Sequence, residues 1–145
     1  MKKTLSLLLA AAVTAIFFAG CTVIESTQKF NRVSLGSGNE KAVCQTFVEI
    51  PGYYFFGIPI VVGSVKGNGT WTMFRDNVTT ENAVYLLTKE IKDRRAARAI
   101  NVHVNATDNF FFIGFYRRSI QASGTGVRTR GSALDTAAQE FDRQP

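Results

Sequence analysis

The chain has 145 residues, a formal net charge of +6, 46% hydrophobic residues and 19% charged ones. That length supports one compact domain and is too short for two of ordinary size. With one histidine and two cysteines, a metal centre built from several His and Cys ligands is excluded, and no cofactor is expected.

The chain opens Met1-Lys2-Lys3-Thr4, then runs apolar from Leu5 to Ala19 with only Ser6 and Thr14 interrupting. A positive start, an apolar middle and small residues at the end are the parts of a secretory signal peptide. The run is shorter than the ~20 apolar residues a permanent transmembrane helix needs. It ends Phe18-Ala19-Gly20-Cys21. This tetrapeptide resembles the lipobox of bacterial lipoproteins, with Phe18 where that family more often has Leu, Val or Ile. The resemblance implies a diacylglyceryl group on the Cys21 sulfur, cleavage between Gly20 and Cys21, and often a further acyl chain on the new amine. Thr22 follows the cysteine. In Gram-negative sorting an Asp there favours inner-membrane retention, so the resemblance implies an outer-membrane, periplasm-facing protein whose membrane partner is reached through lipid on Cys21. Two plainer readings compete: an ordinary signal peptide that leaves Cys21 as a thiol, and an uncleaved anchor.

Cleavage would leave 125 residues and lower the side-chain charge to about +4. That modest excess suits anionic lipid or acidic polymers, and equally an ordinary solvated surface. With Cys21 lipidated, Cys44 has no partner within the chain. It sits in strand-like Ala42-Val43-Cys44-Gln45-Thr46-Phe47, where a small buried apolar role is the plain expectation. A thiol enzyme or redox protein would need Cys44 to meet a base, and His103 is the one histidine.

Residues 21–40 are polar and irregular, which suits a flexible tether, with a short strand around 30–35. Residues 41–130 form the expected domain. Strands are predicted over 42–50, 53–65 and 70–75, with turns at Pro51-Gly52 and Lys66-Gly67-Asn68-Gly69. Pro59 cannot donate to a ladder, so the second strand should carry a bulge, edge or break. Asn77-Val78-Thr79-Thr80 reads as a helix start. Ala83, Val84, Leu87 and Ile91 then recur at helical spacing over 80–97, with charge on the other face. Ile100, Val102 and Val104 alternate with polar residues as a half-buried strand. Thr107-Asp108-Asn109 reads as a turn, Phe110 to Tyr116 as a return strand and Ser119 to Arg128 as a last one, bent at its glycines. Ser132 and Asp135 imitate a capping box, giving a short helix or tail over 131–145. The order of strands, one helix and strands argues an α+β fold: an antiparallel sheet with one main helix packed on a face. Segments of 80–128, together with Phe55-Phe56-Gly57-Ile58-Pro59, resemble small Bor-like envelope lipoproteins. That likeness carries no activity across.

Two apolar runs stand out: Tyr53-Tyr54-Phe55-Phe56-Gly57-Ile58-Pro59-Ile60-Val61-Val62 and Phe110-Phe111-Phe112-Ile113-Gly114-Phe115-Tyr116. A sheet open to water on one face should alternate. Either these strands are buried on both sides, or they present a patch that meets an envelope protein partner or lipid. The candidate interaction residues are Tyr53, Tyr54, Phe55, Phe56, Ile58, Phe110, Phe112 and Phe115. Arg94, Arg95, Arg117 and Arg118 are candidate anion contacts beside a solvated charged face. Basic residues next to aromatics also suit nucleic acid, which export to the envelope argues against. No phosphate loop or nucleophile elbow is present. The expectation is a non-enzymatic, lipid-anchored envelope protein of structural or binding role, or an interaction module docking an envelope or secretion complex.

Overall fold

A computed structural model describes residues 20–30 and 39–129. The expected signal peptide up to residue 19, nearly all of the strand expected at 30–35, and the C-terminal tail with its Ser132 cap lie outside them.

The described residues form a mostly antiparallel sheet of six strands with one helix, an α+β arrangement. In chain order the elements are β1 (Val23–Thr27), β2 (Glu40–Phe55), β3 (Ile58–Gly63), β4 (Trp71–Met73), α1 (Thr80–Asp93), β5 (Arg98–Phe112) and β6 (Phe115–Thr129). The sheet order is β4-β3-β2-β6-β5, and β1 also pairs with β2. The 16-residue β2 organises the sheet. One of its edges pairs with β6 from Glu40 to Phe55. The other is shared end to end, by β1 against Gln45–Glu49 and by β3 against Gly52–Phe55.

Several expectations are corrected here. Pro51-Gly52 is not a turn but lies within β2. Pro51 has no β1 or β3 partner because it falls at the break between them, where a missing N–H costs the ladder least. Gly52 lets Val78 pack close, since a Cβ there would stand 2.7 Å from Val78 Cγ2. Thr107-Asp108-Asn109 is also not a turn: all three belong to β5 and pair with Ser119, Arg118 and Arg117. Their polarity reflects an exposed edge strand. The chain instead reverses at Ile113-Gly114, between β5 and β6. The expected tether is ordered in part, for Val23–Thr27 form β1. The single strand expected over 53–65 is divided, because the chain reverses at Phe56-Gly57 between β2 and β3, and the bulge, edge or break expected from Pro59 takes the form of a register shift opposite Tyr53 and Tyr54.

α1 begins as expected, with the Thr79 hydroxyl accepting from Asn82 N–H at 3.2 Å, a side-chain cap on an otherwise orphaned donor. It ends at Asp93, earlier than the expected 97. Arg95 takes φ +61, its N–H donates to the Lys92 carbonyl, and Ala96 N–H donates to the Ile91 carbonyl. This is a Schellman closure with arginine where glycine is usual, so no glycine signal marked the end.

Leu86, Leu87 and Ile91 of α1 share one buried cluster with Cys44, Val48 and Ile50 of β2 and Ile120 and Ala122 of β6. Gly124 and Gly126 sit beside Leu87 and Ile91.

Candidate functional site

The two apolar runs become neighbouring hairpin tips at one end of the sheet. β2 and β3 are joined by Phe56-Gly57, with φ of +47 and +83 and Phe55 opposite Ile58. Two successive positive φ values define the tight turn that matches strand twist. Asn usually fills its first place. Here it is Phe56, whose left-handed backbone is costly for an aromatic residue. β5 and β6 are joined by Ile113-Gly114, with Gly114 at φ +79 and a register shift between Phe110 and Phe112.

The tips are tied together. Phe56 N–H donates to the Gly114 carbonyl at 2.6 Å, and the Phe56 ring lies over Gly114 so closely that a Cβ would meet it at 2.7 Å. Rings cover both faces behind the turns. On one face Tyr54 stacks on Tyr116 at 5.1 Å and Phe110 packs on Tyr116 at 5.5 Å. On the other, Phe115 meets Tyr53 at 6.1 Å and Phe111 at 5.7 Å. Phe112 stacks on Phe115 at 5.2 Å.

This end is open to solvent, against the reading in which both faces are buried. Ile113 is 88% exposed, Phe110 79%, Phe56 66% and Phe112 65%. Phe55 and Ile58 are exposed, while Tyr53 and Phe115 are half-buried. Tyr54 is a correction: it is 1% exposed and belongs to the core. Its hydroxyl donates to Asp76 Oδ1 at 2.6 Å, and the same oxygen accepts from Val78 N–H at 3.1 Å. Burial first, then the Asp76 carboxylate, push its phenol above the usual range.

Sequence reasoning missed Ile113 and Phe111, since both look like strand interior until the turn is placed at Ile113-Gly114. The strand expected over 70–75 is present as β4, but its exposed Trp71 and Met73, and Phe74 just beyond it, exposed with φ +54, were not among the candidates.

The candidate arginines do not form one anion site. Arg118 grips Asp108 with two bonds, 2.8 and 3.3 Å, and lies 5.9 Å from the Tyr54 and Tyr116 rings. The Arg118 hydrogen bond holds Asp108 below the usual carboxylate range. Arg117 pairs with Glu49 at 2.9 Å. Arg94 pairs with Glu90, also at 2.9 Å, on α1, and Arg95 closes the helix. The Arg95 carbonyl accepts from the Arg128 guanidinium. Arg94 and Arg95 therefore lie at the β6 end near Val127, to which Ala97 is hydrogen-bonded. Arg117 and Arg118 lie behind the aromatic end.

Cys44 and His103 do not meet. Cys44 is buried beside Gly126, against Ile91 and Ala96. His103 is exposed opposite Ser123, a register position on the other face of the sheet, because alternate residues face opposite ways. Among the described residues no group of three His, Cys, Asp or Glu is placed to hold a metal. No described helix is long and apolar enough to cross a membrane.

Gly20 and Cys21 directly precede a fixed point. Thr22 is fully buried. Its N–H donates to the Thr70 carbonyl at 3.0 Å, its carbonyl accepts from Gly69 N–H at 2.8 Å, and its hydroxyl donates to the Ser64 carbonyl at 2.8 Å. Gly63 makes room for it, since a Cβ there would stand 2.5 Å from Thr22 Oγ1.

Comparison with family models, with characterised proteins and with solved structures finds no match.

Proposed function

We propose that this chain is a lipid-anchored protein of the bacterial cell envelope, acylated on Cys21, facing the periplasm from the outer membrane, and acting by binding rather than catalysis. The observation that carries the binding role is the exposed aromatic end made by Phe55, Phe56, Ile58 and Phe110 to Ile113. Monomeric domains seldom leave so much contiguous apolar surface in water, and when they do it marks an interaction site. The signal-peptide pattern and the Cys21 lipobox supply the address.

α1 packed on one face of the sheet belongs to this reading. It is supported by the cluster that Leu86, Leu87 and Ile91 share with β2 and β6, and among the described residues it leaves the aromatic end exposed. The thiol alternative has lost its pair, because Cys44 and His103 face opposite ways.

Two measurements test the reading. Labelled palmitate should enter the wild-type chain and not Cys21→Ser; equal labelling of both removes the anchor. A photo-crosslinker at Phe112 should capture envelope components, lipid or protein, that a crosslinker at Tyr85 on the helix does not. Equal capture from the two sites removes the binding role of the aromatic end.

A further inference from the structure

We propose that the aromatic end inserts into the interfacial layer of a lipid bilayer, with Phe56, Phe111, Phe112 and Ile113 as the leading side chains. The proposal names the occupant of the surface described above and rests on the binding reading of that surface.

Four observations favour a bilayer over a protein groove. The first is shape. Two adjacent hairpin tips project their largest apolar groups outward, and Ile113, at the very turn, is the most exposed of them. A convex apolar cap suits a soft medium that closes around it.

The second is depth. Counting back from Ile113-Gly114, the cross-strand levels are Phe112 with Phe115, Phe110 with Tyr116, and only then Asn109 with Arg117 and Asp108 with Arg118. At ~3.3 Å per residue the uncharged cap is about 10 Å deep. Interfacial segments bury their apolar side ~5–10 Å below the headgroups. The first charges on these two strands, Arg117 and the Arg118–Asp108 pair, then lie at headgroup level; off these strands the Asp76 carboxylate accepts from Tyr54, whose strand level is that of Tyr116. Arg118 spans the Tyr54 and Tyr116 rings there, and tyrosine and arginine are both at home in that layer.

The third is the backbone. In hydrocarbon an unpaired peptide group costs several kcal/mol. Between the two tips the bond from Phe56 N–H to the Gly114 carbonyl satisfies a donor and an acceptor, and the outer edge of β5, which among the described residues pairs only with β6, limits insertion to the hydrated interfacial layer.

The fourth is found at the chain's start. Thr22 is bonded to Thr70, and the residues after Thr70 are the exposed Trp71, Met73 and Phe74 of the β4 edge. Met73 pairs with Val61 of β3, and β3 begins at Ile58 in the cap. Exposed apolar side chains thus occur both beside Cys21, at Trp71, Met73 and Phe74, and at the cap end of β3, at Ile58, with Arg75 and the buried Val61 between them.

Trp71 is the sole tryptophan, so fluorescence can read this surface directly. The purified full chain is mixed with phosphatidylethanolamine–phosphatidylglycerol vesicles, with or without brominated acyl chains. Two reporters are compared: Phe112→Trp and Tyr85→Trp, each combined with Trp71→Phe. The Phe112 reporter should shift to the blue and be quenched by bromolipid, while the Tyr85 reporter is unchanged. Ile113→Asp should abolish the quenching and lower vesicle partition of unacylated chain roughly tenfold or more. At so exposed a position it does not threaten the fold. Equal quenching of the two reporters, no quenching at Phe112, or a protein crosslinked at Phe112 while its reporter stays unquenched overturns the proposal. The mass of the same preparations reports acylation separately. An acylated chain with an unquenched Phe112 reporter overturns insertion and spares the anchor. A quenched reporter on a chain without acyl groups does the reverse.

Discussion

Replacing Gly126 with alanine tests the proposed seating of α1 on the sheet. Neither Gly124 nor Gly126 has a positive φ, so alanine fits the backbone at both, and only space distinguishes them. A Cβ on Gly126 would stand 2.7 Å from Cys44 Sγ, 2.8 Å from Ala96 Cβ and 2.9 Å from Ile91 Cγ2, inside van der Waals contact on three sides. Two of these atoms belong to the helix C-terminus and its closure, so relief requires that end of α1 to lift. Overpacking of this kind costs ~1–3 kcal/mol. Losing a glycine returns ~0.4–1 kcal/mol through the unfolded chain. The net expectation for Gly126→Ala is a loss of ~1–2 kcal/mol, equivalent to ~5–10 °C in Tm for a domain of this size. At Gly124 the nearest atoms are Leu87 Cδ2 at 3.3 Å and Val102 Cγ2 at 3.4 Å, both at ends of side chains. Gly124→Ala should therefore stay within ~0.5 kcal/mol of wild type. Urea unfolding of both variants, with unchanged m-values, measures the difference. Gly126→Ala as stable as wild type, or Gly124→Ala equally damaged, would refute this account of the helix seat.

Two further substitutions probe the joint between β2 and α1. Tyr54→Phe removes the donor to Asp76 inside the core and should cost ~1–2 kcal/mol in urea unfolding at neutral pH. Its pH dependence has a definite sign. The folded phenol titrates above its unfolded value, so its contribution is complete below pH ~10 and falls as pH rises further, by ~1.4 kcal/mol per unit. Wild type should lose stability above pH ~10 with a slope that Tyr54→Phe lacks, and parallel curves would count against the burial of this hydroxyl. Thr79→Ala removes the α1 cap and should cost ~1 kcal/mol, with Thr79→Ser largely restoring it; an unchanged midpoint for the alanine variant would show that the cap is not used.

What the sequence made legible follows from local chemistry. Thr79 caps its helix because a hydroxyl one residue before an apolar-periodic stretch has an orphan N–H to meet. Pro59 marks a bulge because it has no N–H to give. Turns read from composition fared worse. Pro51-Gly52 is turn-like in isolation, but a strand flanked by two shorter partners has a break where proline does no harm, and only the pairing reveals that break. Asp108 looks like a turn residue until Arg118 is placed across from it. In the opposite direction, the turn at Phe56-Gly57 is hidden, because the residue carrying the positive φ is a phenylalanine. The aromatic runs were visible as departures from alternation. Their exposure was not, since it depends on both hairpins ending at the same level of the sheet.

The strain at Phe56 bears on what that end is for. An asparagine in its place would adopt the same turn at lower cost, since a left-handed backbone disfavours a residue with a bulky Cβ substituent by ~1–2 kcal/mol. The phenylalanine ring gains part of this back over Gly114 and beside Phe55, 4.7 Å away in an edge-on contact, yet two-thirds of the residue stays in water. A strained backbone holding an apolar side chain outward is a cost that folding alone does not offset, and such outliers collect where a surface works. Transfer of the exposed two-thirds of that side chain out of water would return about as much as the turn costs, on the order of 1–2 kcal/mol. Ile113 at the neighbouring turn is also held in water, 88% exposed, with the positive φ there taken by Gly114. Thr22, bonded into the fold immediately after Cys21, leaves no slack for a lipid anchored there to be held at a distance, so acyl chains on Cys21 would bring the β4 edge to the bilayer. Among the described residues the proposed anchor has no spacer and the apolar end no cover, so the two proposals are complementary: each would place in lipid a part of the chain that the described fold leaves in water.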